Sequence, residues 1–390
     1  MQQKQEQQQQ PKKKASPRKA VLIPAIILAV IAVLLLAVWC IPMPAGRWGK
    51  QDCGPGYTGA FAKNNALDTL AYLDLGEYSH PETVLVREGW VYCTVKNGVL
   101  LKMREDGTER TRILDTGGCL LGFAFDGAGD ILAVDCDYGG TGALLRVSDA
   151  ENGACEVLVS RASGWELYYP NAIAVASDGT VYFSDSSRAF PPVKYQSSSS
   201  LAAANEALMH TCTGRVLSYH PRTGQVNVLA DGFAFSNGLG LSADEKTLFV
   251  CETYAYAVRK IDLVSGEVSD FLVNLPGFPD NLTEGLDGKF WVGFNGERSD
   301  SLDAISQKAL LRKALWLYGK LAPSGEDPGK TGYCHVFAFT EDGAVTDSLQ
   351  SGVNGYYRST GATETRDRLY IQSINDSGKL AFLQLPAEGN

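Results

Sequence analysis

One unit recurs through this chain and limits what the chain can become. At 169–186 it reads YPNAIAVASDGTVYFSDS. AIAV suits a short buried strand. SDG is a turn in which Asp caps and Gly takes a positive φ, and VYF is a second strand. The open ends of this hairpin carry Asn171 and Asp185, which therefore lie near each other on one face. The unit returns at 121–135 (LGFAFDGAGDILAVD), 237–252 (NGLGLSADEKTLFVCE) and 280–294 (DNLTEGLDGKFWVGF), and more weakly at 82–95 and 360–373. Most copies are followed by another strand pair, such as GRVLSYHPRTGQVNVLADG at 214–232. Four strands per unit at a period of roughly 40–50 residues predict an all-β fold, a six-bladed β-propeller. The second strands are expected to begin near Val91, Ile131, Val181, Leu248, Phe290 and Leu369.

Length alone, 390 residues, suggests two domains, but the repeat assigns most of the chain to one propeller. The expected organisation is a polar basic tail at 1–19, an apolar segment at 20–41, a stalk and connection at 42–75, and the propeller at 76–390. Within the connection or the stalk, a strand is expected to join the last blade and close the ring. The run AVLIPAIILAVIAVLLLAVWCI carries no charge and is long enough to span a bilayer. The lysines and Arg18 before it predict a cytoplasmic N-terminus and an extracytoplasmic propeller, at the cell surface or, in a eukaryote, in the endoplasmic reticulum lumen. A cleaved signal peptide is the rival reading, but the run is long for one and Met43-Pro44-Ala45 is a poor cleavage site. With 44 acidic against 35 basic residues, the net charge of −9 argues against a nucleic-acid partner.

None of the nine cysteines forms a C-x-x-C pair, so a zinc or redox motif is not expected. Cys93, Cys136 and Cys251 fall in predicted second strands, where buried free thiols are common. Asn281 and Asn375 begin glycosylation sequons if the host is eukaryotic. Two insertions interrupt the repeat, at about 188–213 and 298–332. The first is expected to end in a short helix at 201–209. In the second, 301–319 (SLDAISQKALLRKALWLYG) has helical apolar spacing. Each follows a second strand, so each leaves the face that carries Asn171 and Asp185. A lid or pocket wall, packing on the rim, and contact with the membrane are the three roles open to them.

Aligned on the turn, the residue just before the first strand of each unit is Glu82, Leu121, Asn171, Asn237, Asp280 and Thr360. First strands line the channel of a propeller, so these positions converge on its mouth. Glu82, Asn171, Asn237 and Asp280 supply two carboxylates and two amide carbonyls. This is a hard-oxygen set suited to one Ca²⁺, with Mg²⁺ or Mn²⁺ as alternatives and zinc disfavoured. The bland reading is strand capping by ordinary turn residues. A second group, Asp135, Asp185 and Glu252, stands at the ends of second strands. These serve either as bases and substrate contacts or as partners of nearby arginines such as Arg188 or Arg259.

At this point the residues resemble a known family. The stretch 214–294 in particular is similar to the strictosidine synthase-like family, including the branch of adipocyte plasma membrane-associated proteins. The likeness extends over about 76–385. The family belongs to a superfamily of calcium-dependent six-bladed propellers that also holds gluconolactonase and paraoxonase. The resemblance implies hydrolysis of lactones or aryl esters. It places the superfamily's calcium Glu on Glu82, its channel Asn residues on Asn171 and Asn237, and its Asp on Asp280, with Asp280-Asn281 matching the Asp-Asn of paraoxonase. Two departures stand out: Thr360 occupies the place of the strictosidine synthase catalytic Glu, and no His lies near Leu121, where paraoxonase has one.

The expected function is therefore a membrane-anchored, Ca²⁺-dependent hydrolase of a small ester or lactone with an apolar body, without strictosidine synthase activity. Asp280 is the candidate base, with Asp185 and Glu252 as fallbacks and Asp135, Asn281 and Thr360 as additional pocket residues. The alternative is a non-catalytic propeller that binds a ligand or protein and keeps a structural calcium.

Overall fold

The structure is a computed structural model and describes residues 17–41, 45–46, 56–148, 153–321 and 333–386. Residues 1–16 of the expected tail, most of the stalk with Cys53, and 322–332 of the second insertion lie outside the described residues. Strand propensity and turn chemistry act together in every unit. In the 169–186 unit the strands Pro170–Val175 and Val181–Asp185 pair with Ala174 opposite Tyr182. Gly179 takes φ +86° in the turn between them, and Asp178 Oδ1 accepts the Thr180 N–H at 2.8 Å. This turn fixes the register that puts Pro170 opposite Asp185.

Six four-stranded antiparallel sheets result, and they form a six-bladed propeller. The first strands of the blades are Val84–Arg87, Leu120–Phe125, Pro170–Val175, Ser236–Leu241, Gly277–Glu284 and Ser359–Glu364. All six second strands begin within one residue of their expected starts. The ring is closed by Ala71–Asp74, which pairs with the last strand, Lys379–Gln384, in the register Leu73 opposite Leu380. The propeller thus begins before the expected boundary at 76, because its closing strand comes from the connection.

The core lies between blades rather than within one sheet. Phe249 of blade four packs on Phe290 and Phe339 of blade five, with ring centroids 5.0 and 5.7 Å apart. Comparable buried clusters fill each of the other five blade junctions. At about 1.5–3 kcal/mol per fully buried large apolar side chain, these junctions make each blade dependent on its neighbours.

Among the described residues four α-helices stand outside the sheets. Helix α1 is Pro17–Trp39, and its segment Leu22–Trp39 is long and apolar enough to cross a membrane. Helix α2, Ser199–Met209, ends the first insertion as expected. The second insertion holds two helices rather than one: α3, Asp300–Ile305, and α4, Ala309–Leu321. The second insertion follows the strand Lys289–Glu297, whose end pairs with the start of the blade-five channel strand, Gly277 opposite Glu297. Helices α2, α3 and α4 therefore stand on the channel-mouth face. A seventh apolar cluster under them joins Phe190, Ala202 and Met209 to Tyr169, Phe235 and Tyr254.

Candidate metal and substrate site

The channel residues are delivered by irregular pairing. They do not precede the first strands, as the alignment suggested; all but Glu82 lie inside them. Between blades' first and second strands the register shifts at Leu120/Phe123, Pro170/Ile173, Ser236/Leu239, Pro279/Leu282 and Ser359/Gly361. Leu121, Asn171, Asn237, Asp280 and Thr360 each sit inside one of these shifts. A bulge frees a residue from the ladder and re-aims its side chain, so five of the six blades release one side chain at the equivalent position of the channel strand. The strands approach closely here: a Cβ on Gly238 would lie 2.2 Å from the backbone N of Leu282. Only glycine permits that contact.

Glu82, Asn171, Asn237 and Asp280 are all buried. Asn237 Nδ2 donates to Asp280 Oδ1 at 2.5 Å and to Thr253 Oγ1 at 3.1 Å. Asn295 Nδ2 donates to Asp280 Oδ2 at 2.6 Å. Asn171 Nδ2 donates to Ser186 Oγ at 3.0 Å. Asn281 and Thr360 hold the backbone of Glu82, donating to its carbonyl oxygen at 2.8 and 2.9 Å. They position Glu82. Two oxygens in this set, Glu82 Oε2 and Asn237 Oδ1, are buried without a hydrogen-bond partner.

The electrostatics follow from that burial. Desolvation pushes the Asp280 carboxyl up to about 6, against the Asn295 and Asn237 amides and the Arg358 charge that pull it down. Burial raises Glu82 well above the usual carboxylate range, and the Asp280 charge raises it further. Arg358 opposes both shifts. Its Nε donates to Asn295 Oδ1 at 3.4 Å and its Nη2 to Ser200 Oγ at 3.1 Å, which links the acidic pair to the start of α2. With both carboxylates ionised, one guanidinium would leave a negative charge in excess; burial, with the Asp280 charge on Glu82, holds the two carboxyls toward their protonated forms.

A buried carboxylate oxygen and a buried amide oxygen without donors, beside a second carboxylate, fit a hard cation. Among the described residues no group of three or more His, Cys, Asp and Glu side chains is placed to hold a metal. The channel set differs in kind, because two of its four oxygens come from amides.

Asp135, Asp185 and Glu252 have other occupations. Asp185 Oδ2 accepts Arg215 Nε at 2.9 Å, and its Oδ1 accepts the Tyr168 and Tyr169 N–H groups at 3.2 and 2.6 Å. Glu252 accepts the Ala234 N–H and Arg259 Nε, both at 2.7 Å. Asp135 accepts Thr116 Oγ1 at 2.5 Å and the Cys119 and Asp137 N–H groups at 2.9 and 2.8 Å. Each oxygen of Asp185 and Glu252 already holds a donor. These are loop-tying carboxylates, and the partner of Asp185 is Arg215 rather than Arg188. Asn281 and Asn375 are buried, so neither sequon presents its side chain at the surface.

A cavity of about 340 Å³ opens beside Glu82, between the loops 95–98 and 117–121 and the segment 196–200 that begins α2. His80, Lys96 and Ser197–Ser200 give it a polar wall, and Val95, Leu120, Leu121 and Ile374 an apolar one. Four residues here escaped the sequence reading: His80, Lys96, Asn295 and Arg358. His80 Nε2 lies 2.9 Å from Asp376 Oδ1, and burial lowers its pKa to about 4 in spite of that carboxylate. Its place two residues before Glu82 was a legible signal. Arg358 was not legible, because it reaches the acidic pair from another blade. The eight described cysteines are all free thiols, among them the expected Cys93, Cys136 and Cys251.

A strictosidine synthase model matches residues 171–265, and a strictosidine synthase-like N-terminal model matches residues 59–103. The chain resembles the strictosidine synthase-like family. The matched segments include Glu82, Asn171 and Asn237. Protein STRICTOSIDINE SYNTHASE-LIKE 4 of Arabidopsis thaliana is 29% identical over 260 residues, 65% of this chain and 67% of that protein. The adipocyte plasma membrane-associated protein of Danio rerio is 34% identical over 197 residues, 45% of this chain and 46% of that one. The chain thus spans about half to two thirds of the length of these curated relatives. Among solved structures, a gluconolactonase from Xanthomonas campestris superposes with a TM-score of 0.55 at 22% identity, covering 89% of this chain and all of the other. The calcium-binding protein regucalcin from Agrobacterium tumefaciens gives 0.53 at 13% identity, covering 82% and 96%. At these identities the structural likeness establishes the fold.

Proposed function

We propose that the chain is a membrane-anchored, calcium-dependent hydrolase of small esters or lactones, working at the mouth of the channel. The observation that carries this reading is the pair of buried, partnerless oxygens, Glu82 Oε2 and Asn237 Oδ1, beside Asp280. Glu82, Asn171, Asn237 and Asp280 would hold the ion. A bound calcium supplies Lewis acidity for a substrate carbonyl and its oxyanion. Asn281 and Thr360 keep Glu82 in place through its carbonyl. Asp280 takes the proton of the attacking water, and His80, which lines the cavity beside Glu82, is a second proton acceptor. Ser197–Ser200 and Lys96 bind the polar part of the substrate, and Val95, Leu120, Leu121 and Ile374 its apolar body. Helix α1 anchors the chain, with the propeller on the extracytoplasmic side.

A second reading is favoured by one specific observation. Both Asp280 oxygens already accept amide donors, from Asn237 and Asn295. Together with Thr360 in place of the strictosidine synthase Glu and the lack of a His near Leu121, this suits a binding propeller with a structural ion. Hydrolysis of phenyl acetate and of a γ-lactone by the full chain, in calcium and in chelator, separates the two. Turnover that is lost in chelator and in Asp280→Ala supports the hydrolase. Binding of calcium without turnover of any ester or lactone sinks it in favour of the second reading.

A further inference from the structure

Helix α4 is built inside out. Its sequence is ALLRKALWLYGKL. At about 100° per residue, Leu310, Leu311, Leu315 and Tyr318 fall within one arc of roughly 140°, while Arg312 and Trp316 fall on the opposite side. A helix on the surface of a soluble fold turns its apolar arc inward. Here the polar side is the inner one. Arg312 is 1% exposed; its Nη1 donates to the carbonyls of Leu208 and Met209 at 3.2 and 2.9 Å, and its Nη2 to that of Gly46 at 2.6 Å. It thereby satisfies carbonyls at the C-terminal end of α2. Trp316 Nε1 donates to Asn205 Oδ1 at 2.7 Å. The leucines and Tyr318 are left outward, 36–42% and 68% exposed respectively. Leu201 and Val193 of the first insertion are also exposed.

The place of this face decides its occupant. Lys313 Nζ donates to the carbonyl of Ile41 at 3.1 Å, two residues beyond the end of α1, and α4 packs against α1 itself. The outward leucines thus stand beside the end of the one described helix long and apolar enough to span a bilayer. Lys313 and Lys320 lie together on the Trp316 side of the helix, Lys320 over the Tyr195 and Trp316 rings at 4.4 and 5.6 Å, and Tyr318 belongs to the apolar arc. Such a mixture of aliphatic, tyrosine and lysine side chains matches the membrane–water boundary.

We propose that α4 lies in the membrane interface with Leu310, Leu311, Leu315 and Tyr318 facing the lipid, so that the channel mouth and the cavity beside Glu82 are turned toward the bilayer. This rests on α1 being a membrane anchor. It is independent of whether the channel holds calcium or performs hydrolysis.

The test uses the full chain in phosphatidylcholine nanodiscs that contain a phospholipid with a diazirine in its acyl chain. After illumination, lipid adducts are mapped by peptide mass spectrometry. Adducts are expected in α1 and at residues 310–318, and none around Val264, which is 85% exposed on the propeller rim. In the double variant Leu311→Asp, Leu315→Asp, the α4 adducts should fall at least tenfold while those in α1 remain. Both side chains face outward, and an unchanged melting temperature verifies the fold. Adducts in α1 with none in α4 would overturn the inference and leave the anchor intact. Absence of adducts from α1 as well would overturn both. Protein–protein crosslinks at 310–318 in place of lipid adducts would assign the face to a second copy and likewise overturn it.

Discussion

Two sets of acidic residues stand at the same end of this propeller and live under different conditions. The outer set, Asp135, Asp185 and Glu252, ends the second strands and is saturated with donors: Arg215 and two backbone N–H groups on Asp185, Arg259 and one N–H on Glu252. The channel set, Glu82 and Asp280, is equally buried, yet Glu82 keeps an oxygen without a partner and Asn237 another. Both sets are desolvated by the same fold. The difference teaches that the outer carboxylates are finished by the chain itself, whereas the channel keeps two buried oxygens to which the described residues supply no donor. Leaving a buried polar atom unpaired costs about 1–3 kcal/mol, which a chain selected only for stability would avoid.

The comparison can be broken at its strong end first. Asp185→Ala leaves Arg215 buried without its carboxylate, and stability should fall by roughly 3–5 kcal/mol. Denaturant melts of the variant should show this loss equally in calcium and in chelator. A loss that appears only in calcium would mean that Asp185 belongs to the channel set.

The second prediction concerns pH. The Asp280 carboxyl is pushed up to about 6, above its unfolded range, so the folded protein binds the proton more tightly than the unfolded chain. Its stability contribution is fully present below the unfolded pKa and is lost as pH rises through 6. In chelator, wild type should therefore lose stability against Asp280→Asn as pH rises from about 3 to 7, by an amount on the order of 3 kcal/mol in all. A difference that does not vary with pH would remove the electrostatic account of the channel.

The third effect is smaller and opposite in sign to the first. Glu82→Gln removes a carboxylate that burial and the Asp280 charge both disfavour. In chelator the variant should melt higher, with a gain of about 1–3 kcal/mol, and it should gain nothing on addition of calcium. A loss of stability in chelator would place Glu82 among the structural carboxylates.

How far this division was legible in sequence depends on what each part rests on. The repeat exposed the blades and the second-strand starts, because period-two apolar runs and Asp-Gly turns are local signals. It also put Glu82, Asn171, Asn237 and Asp280 at one equivalent position. It misplaced Asn171, Asn237 and Asp280 before the strands, since a bulge is a relation between two strands and leaves no mark on one; Glu82 does precede its strand, as expected. Arg215, Asn295 and Arg358 were missed for the same reason: Arg215 reaches Asp185 across a strand pair, and Arg358 reaches Asn295 from another blade. In the second insertion the helical spacing was visible, but not the break at 306–308 or the inverted exposure of α4, which depends on Arg312 finding the carbonyls of α2 and Gly46.

The most direct test of the central claim is a paired thermal melt of the full chain in nanodiscs, with saturating calcium and with chelator, repeated on Glu82→Gln. If the channel takes an ion, calcium at about 100 times its dissociation constant should stabilise wild type by about 2.7 kcal/mol, a shift of several degrees, and leave Glu82→Gln unmoved. Superimposable wild-type melts in calcium and in chelator would contradict the account, and the four channel residues would then be strand caps.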